Sequence, residues 1–306
     1  MPSLKSDLSF WLKKHNIQPN KDLGQCFLIS DSALNKIIAT ADIKRGEKVL
    51  EIGSGTGILT EKLIAKGASV LGVEKDSRLA WILHERFEKE LRIEKLKLIQ
   101  ADFLDMPFPE TLESLGWKSG EYKVVANLPY QITSPAIERL LERDFLPSKI
   151  VMTIQKEVAE RICAQPGNLS SLAVLVQACA QEYALAAKFP SSYFFPAPGV
   201  ESALLKLDGI SYDKFTLTTS KIDPSTPPPE AESLRMTNGK VGIKGLRQVI
   251  RIGFAQKRKK LKKNLQNVFD KEIIEKIWRE LGIDDNTRAQ ELEVGKWIEI
   301  TKTISK

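Results

Sequence analysis

Two histidines, His15 and His84, and three cysteines, Cys26, Cys163 and Cys179, are all that 306 residues offer to metal or thiol chemistry. The cysteines are odd in number and form no C-x-x-C pair. A disulfide framework and a zinc site of ordinary spacing are therefore not expected, and no metal is. No apolar run approaches the ~18 residues of a transmembrane helix. The segment Met1 to Lys14 has Asp7 in its middle and no apolar stretch of the secretory kind, and no Arg precedes Arg45 as a transit peptide would require. A protein of a reducing cytoplasm, off the membrane, is the expectation, and nothing demands more than a monomer. What is present reads as globular: 42% hydrophobic and 28% charged residues sit near the averages of folded proteins. The length predicts two domains.

Acidic residues are missing from one stretch. Between Gly242 and Phe269 stand Lys244, Arg247, Arg251, Lys257, Arg258, Lys259, Lys260, Lys262 and Lys263, with no Asp or Glu. The whole chain has 46 Lys and Arg against 39 Asp and Glu, so this single segment supplies the entire net charge of +7. Concentrated positive charge is the footprint of polyanion binding, because neutralised phosphates release counterions. A solvated face that aids solubility is the plainer alternative. The interleaved Ile250, Phe254, Leu261, Leu265 and Phe269 predict a helix docked on one face and basic on the other. Arg247, Arg251, Lys257, Arg258, Lys259 and Lys260 are its candidate nucleic-acid contacts.

From Lys48 to Asp208, short apolar runs alternate with helical ones. Lys48–Ile52, Ala68–Val73, Lys95–Ile99, Tyr122–Ala126 and Ile150–Ile154 read as strands. Ile58–Lys66, Ser77–Leu91 and Pro135–Leu146 read as helices, the last opened by Ser134-Pro135. Such alternation predicts an α/β fold: a Rossmann-like, mostly parallel sheet covered on both faces. Glu201–Leu207 and Glu182–Phe189 predict an antiparallel edge. The Pro-rich segment Tyr212–Val241 reads as a linker or long loop. Helices are expected at Gly245–Phe269, Lys271–Leu281 and Thr287–Thr303. The predicted domains are thus 1–210 (with a leader, 1–20), a linker at 211–241, and a small helical basic domain at 242–306.

Four groups sit where strands end. Val49-Leu50-Glu51-Ile52-Gly53-Ser54-Gly55-Thr56-Gly57 places a buried strand before a glycine-rich turn and a helix, so backbone and helix N-terminus can approach a ligand closely. The spacing is G-x-G-x-G, with Ile58 where a dinucleotide fold would place its third glycine, which favours S-adenosylmethionine over a nicotinamide. A plain tight turn is the alternative. Glu74 ends the next strand, where a carboxylate can take both ribose hydroxyls. Asp102 follows the third strand, where an acceptor could meet an adenine amino group. Either acid alone could instead cap a helix. Asn127-Leu128-Pro129-Tyr130 follows the fourth strand. A carboxamide oxygen and a neighbouring main-chain carbonyl there can accept both N–H bonds of an exocyclic base amine, favouring a pyramidal, nucleophilic nitrogen. Proline stiffens the turn, and Tyr130 offers a flat face to an unstacked base. A strand-ending turn with a buried Tyr is the alternative for this motif.

These motifs together resemble the ribosomal RNA adenine dimethyltransferase family. The likeness runs through Lys21-Asp22-Leu23-Gly24-Gln25-Cys26-Phe27-Leu28, the glycine turn, Glu74, Asp102 and Asn127-Leu128-Pro129-Tyr130. It continues in Phe195-Pro196-Ala197-Pro198-Gly199-Val200-Glu201-Ser202 and in Phe254-Ala255-Gln256-Lys257-Arg258-Lys259-Lys260-Leu261. The resemblance implies a class I methyltransferase sheet with a small C-terminal helical domain. Its cofactor would be S-adenosylmethionine, and it would dimethylate two adjacent adenosines of the 3′-terminal hairpin loop of small-subunit (16S) rRNA during ribosome biogenesis. By the same likeness Cys26, Leu28, Gly53, Gly55, Gly57, Glu74, Asp102 and Asn127 would hold the cofactor. Tyr130 and Phe195 would clamp the target adenine, with Asn127, Leu128 and Pro129 beside it. One position departs from the family's pattern: Cys26 stands where an Asn is usual, and a thiol donates and accepts only weakly. A large-subunit rRNA methyltransferase of the same architecture, and a non-catalytic RNA-binding assembly factor, are the competing expectations.

Overall fold

A computed structural model of the chain describes residues 3–20, 22–142, 145–212, 243–256 and 258–304. Two compact units emerge. The first comprises residues 1–140, 145–160 and 182–210; the second comprises 141–144, 161–181 and 211–306. Arg161–Gln181, which the sequence reading assigns to the first domain, clusters with the helical unit instead. Its helix Ser171–Cys179 is buried at almost every position, so it needs apolar cover all round. The expected linker lies, Ser211 and Tyr212 apart, outside the described residues.

The first unit begins with α1 (Leu4–Lys14), N-capped by the Ser3 side chain and buried through Leu8 and Leu12. After β1 (Phe27–Leu28), α2 (Asp31–Ala41) packs Leu34, Ile37 and Ile38 into the same core. A seven-stranded sheet follows: β2 (Lys48–Ile52), β3 (Ser69–Glu74), β4 (Leu96–Gln100), β5 (Tyr122–Asn127), β6 (Lys149–Gln155), β7 (Glu182–Phe189) and β9 (Ser202–Asp208). Its order is β4-β3-β2-β5-β6-β9-β7, and β2 to β6 all run parallel. β9 runs antiparallel to both β6 and β7, so the expected antiparallel pair is present with β9 inside and β7 at the edge. Near-continuous burial of β2, β3, β5 and β6 explains their unbroken apolar runs, since helices cover both faces. α3 (Ile58–Ala65) and α4 (Ser77–Arg86) follow β2 and β3. The single helix expected at Ser77–Leu91 breaks at Phe87 (φ −117°, ψ 29°), whose buried ring packs beside the glycine turn.

Order in this sheet reverses between β2 and β5, which is where open α/β sheets bind ligands, beyond the carboxyl ends of the strands. A feature without periodicity closes one side of that crevice. β1 pairs antiparallel with β8 (Phe194–Phe195), in register Phe27↔Phe195 and Leu28↔Phe194. Two distant sequence motifs thereby become one ribbon.

In the second unit the expected helix Gly245–Phe269 is two helices, Ile243–Phe254 and Leu261–Gln266. Asn264 ends the first by donating its side-chain amide to the Gly253 carbonyl (2.8 Å) and more weakly to that of Gln256 (3.3 Å). Phe254 stacks on Trp297 (5.4 Å between centroids, 13° between planes), and Trp297 lies in the last helix, Val294–Ile304. Between them, Lys271–Glu280 stops at Gly282 (φ 57°). No helix among the described residues is long and apolar enough to cross a membrane.

Candidate active site

A cleft opens at the switch point, lined by residues from every motif ahead of Tyr130. Cys26, Gly53, Gly55, Glu74, Asp102, Asn127, Leu128 and Pro129 all face it. Four expected site residues do not line it. Leu28 is buried in the core, and Gly57 (φ 87°) caps α3 against the Phe87 ring. Tyr130 opens a short 3₁₀ turn next to Pro129, and Phe195 lines a separate pocket beside α1.

Gly53 (φ 74°) and Gly55 (φ 61°) hold left-handed backbone that a side chain would strain. A methyl group at Gly53 would meet Pro129 Cδ at 3.6 Å, ordinary van der Waals contact, so the turn has room for it without a clash. Glu74, only 7% exposed, binds the turn directly. Its Oε2 accepts the Gly55 N–H (2.8 Å), and its Oε1 accepts the Asp76 N–H (2.9 Å). Burial raises its pKa above the ordinary 4.5, against the pull of the Asp76, Gly55 and Lys75 N–H groups. The carboxylate keeps acceptor capacity for a ligand hydroxyl.

Behind the turn lies Glu51, 1% exposed on β2, accepting from the Thr60 hydroxyl of α3 at 2.6 Å. Burial pushes its carboxyl up to about 8, so it is largely protonated at neutral pH. Asp102 is held on both oxygens: Oδ1 accepts the Leu104 N–H (2.8 Å) and Oδ2 meets the Lys75 ammonium (2.7 Å). Burial works to raise its pKa, yet Lys75 and Leu104 outweigh it and the net shift is downward. A ligand amine reaching Asp102 must share it with Lys75, a lining residue that sequence reasoning passed over.

Asn127 is the last residue of β5, and its orientation is set by chemistry. Its Nδ2 donates to the Cys26 carbonyl at 3.0 Å. A carbonyl can only accept, so the amide face turned to Cys26 must be NH₂, which leaves Oδ1 as the acceptor for the cleft. The backbone of residue 26 thus does the positioning, whichever side chain it carries. Burial also pushes the Cys26 thiol up, away from a reactive thiolate. Tyr130 is anchored by a 2.6 Å bond between its hydroxyl and that of Ser202 at the start of β9.

A second group of residues emerges only from the fold. Gln25 accepts the Asn20 N–H at 2.8 Å and donates from Nε2 to Asp76 Oδ2 at 2.9 Å. Asp76 also N-caps α4 and is gripped by Arg78 (2.7 Å). The Arg78 bond first of all, aided by Gln25, lowers the Asp76 carboxyl to about 2. The loop Asp22–Phe27 that roofs the cleft is therefore tied to the β3–α4 turn that floors it. Gln25 stands inside the first motif, but its partner is fifty-one positions away and nothing local announces it.

Of the candidate basic contacts, Arg251, Arg258, Lys259 and Lys260 are exposed. Arg247 is half-buried and paired with Glu142 at 2.6 Å, so it has a structural partner already. Lys257 and Lys21 lie outside the described residues.

A glycine turn at the sheet's switch point, an acid at each of the next two strand ends and a carboxamide at the end of β5 define the cleft of a class I methyltransferase. Residues 16–216 and 225–306 match the ribosomal RNA adenine dimethylase family, and the chain belongs to it. Ribosomal RNA small subunit methyltransferase A of Crocosphaera subtropica is 33% identical over 296 residues, 94% of this chain and 99% of that protein. The crystal structure of a dimethyladenosine transferase from Plasmodium falciparum is similar with a TM-score of 0.66 and 26% identity, covering 90% of this chain and 95% of that one. The 23S rRNA methyltransferase ErmE, at 22% identity and TM-score 0.60 over 92% of this chain and all of its own, shares the fold.

Proposed function

We infer that the chain moves methyl groups from S-adenosylmethionine to N6 of adenosine in small-subunit rRNA, two on each of two adjacent bases. The bound donor would supply a methyl on a sulfonium, whose leaving group is a neutral thioether. Alignment then matters more than a strong general base, which suits a cleft without a histidine among its lining residues. Glu74 would take the ribose hydroxyls, Asp102 the donor's adenine amine, and the Gly53–Gly55 turn would let the chain approach closely. Asn127 Oδ1, with a neighbouring main-chain oxygen, would accept from the target amine and bring its lone pair out of conjugation. Tyr130, and Phe195 from the β1–β8 ribbon, would clamp the base. The exposed residues Arg251, Arg258, Lys259 and Lys260 would hold RNA phosphates.

The fixed orientation of the Asn127 carboxamide carries this reading. The Crocosphaera subtropica relative, a ribosomal RNA small subunit methyltransferase A, supports the small-subunit target, and ErmE's likeness speaks for the fold alone. Incubation with a labelled methyl donor and undermethylated ribosomal subunits tests it. Label in the small subunit is expected. Label in the large subunit would mean a different target, and label in neither would point to a non-catalytic factor.

A further inference from the structure

α1 has two unlike sides. On one, Lys14 binds Glu85 and lies over the rings of Phe10 and Trp11, so its charge is compensated. On the other, Lys5 and Lys13 are exposed, and neither has a carboxylate partner among the described residues. These two lysines flank a cavity of about 340 Å³ between α1, the chain that follows it, and Phe195. Leu8, Leu12 and Ile17, all buried, give it an apolar floor. Ser9, Asn16 and Gln18 add a hydroxyl and two carboxamides, and the Phe195 ring, 43% exposed, adds an aromatic surface. The site is built: Leu8 and Leu12 share a core cluster with Phe27, whose backbone pairs with Phe195.

We propose that this pocket is a second nucleobase subsite, taking an unstacked base of the RNA that flanks the adenosine being methylated, with Lys5 and Lys13 on its backbone phosphates. The proposal rests on the rRNA-methylating function inferred above. Single-stranded RNA is held by an aromatic face for the base, polar groups for its edge and cations for the phosphates, and this pocket offers all three. Its volume falls at the small end of the roughly 300–1,000 Å³ common for small-molecule sites, in keeping with a single base. Phe195 links the two sites, as it is also the candidate clamp for the reacting adenine. A base that leaves its stack deprives its neighbour of a partner, so a second pocket at the same ribbon lowers the cost of opening the loop.

Two variants test this on undermethylated small subunits. Ser9→Trp fills the pocket from a half-exposed helix position; Lys5→Ala/Lys13→Ala removes charge without touching the core. Ser9→Trp is expected to lower kcat/KM for the subunit by about tenfold, the scale of one lost base stack. The lysine pair is expected to lower it about threefold to tenfold and to weaken its salt dependence. Affinity for S-adenosylhomocysteine, measured by calorimetry, should be unchanged in both. Wild-type transfer by both variants would overturn the subsite, as would a loss matched by equal loss of S-adenosylhomocysteine affinity. If Ser9→Trp fails to fold, the lysine pair decides alone. Failure of the wild-type protein to methylate either subunit would instead overturn the underlying function.

Discussion

At the scale of single residues, Asn127 and Glu51 are each set by what their neighbours can donate or accept. Asn127 presents Oδ1 because its NH₂ is spent on the Cys26 carbonyl. Asn127→Ala removes the acceptor and should cut transfer by about 10²-fold or more, the usual loss for a group that stabilises developing charge. Binding of small subunits, followed by filter retention, should stay within a few-fold; equal loss of both would make Asn127 structural. Glu51 acts on stability. Its carboxyl titrates near 8 when folded and at the ordinary 4.5 when unfolded, so between those values the native state holds the extra proton. Stability therefore falls as pH rises from about 4.5 towards 8, by no more than about 1.4 kcal/mol per pH unit. Glu51→Gln keeps an acceptor for Thr60 without an ionisable group. Urea midpoints at pH 5 and pH 8 should show the variant's advantage growing with pH, and parallel wild-type and variant curves would contradict the assignment.

At the scale of elements, the glycine turn separates packing from binding. A methyl at Gly57 would lie 2.3 Å from Phe87 Cε2 on left-handed backbone, whereas one at Gly53 would meet nothing nearer than 3.6 Å. Gly57→Ala should cost about 2–5 kcal/mol, from the backbone and overpacking together. Gly53→Ala should cost only the backbone share, about 1–2 kcal/mol, and show its main effect as weaker donor binding. Thermal unfolding and donor titration of both variants distinguish the two; a reversed pattern would mean the turn is not the donor's cradle. The strand–turn–helix at Lys48–Ala65 was legible because apolar run, glycine spacing and helical period coincide within twenty residues. The β1–β8 ribbon was not, since two-residue strands carry no period. Nor was the break after Phe254 legible: Lys and Arg are good helix formers, and the helix ends through Asn264 and the Leu261 N–H bound to Thr287. Gln25 and Asp76 were hidden for the same reason, as their meeting is made by the fold and by no local signal.

At the scale of the whole molecule, charge is divided by role. In the cleft Glu74 is buried and Asp102 is matched by Lys75, while the basic excess sits in the segment after Gly242. Replacing Lys257, Arg258 and Lys260 together with Gln should flatten the slope of log affinity for rRNA against log salt by about 2, the share of three phosphates on single strands. Donor affinity should not move. An unchanged slope would return the segment to a solubility role.

The cleft around Asn127 is proposed to methylate adenosine N6 in the small subunit. Nucleoside mass spectrometry of 16S rRNA, after undermethylated small subunits are treated with the protein and S-adenosylmethionine, tests it most directly. N6,N6-dimethyladenosine is expected at two adjacent positions of the 3′-terminal hairpin, and is expected to be absent when Asn127→Ala protein is used. Unmodified adenosines with wild-type protein, or full dimethylation by Asn127→Ala, would contradict it.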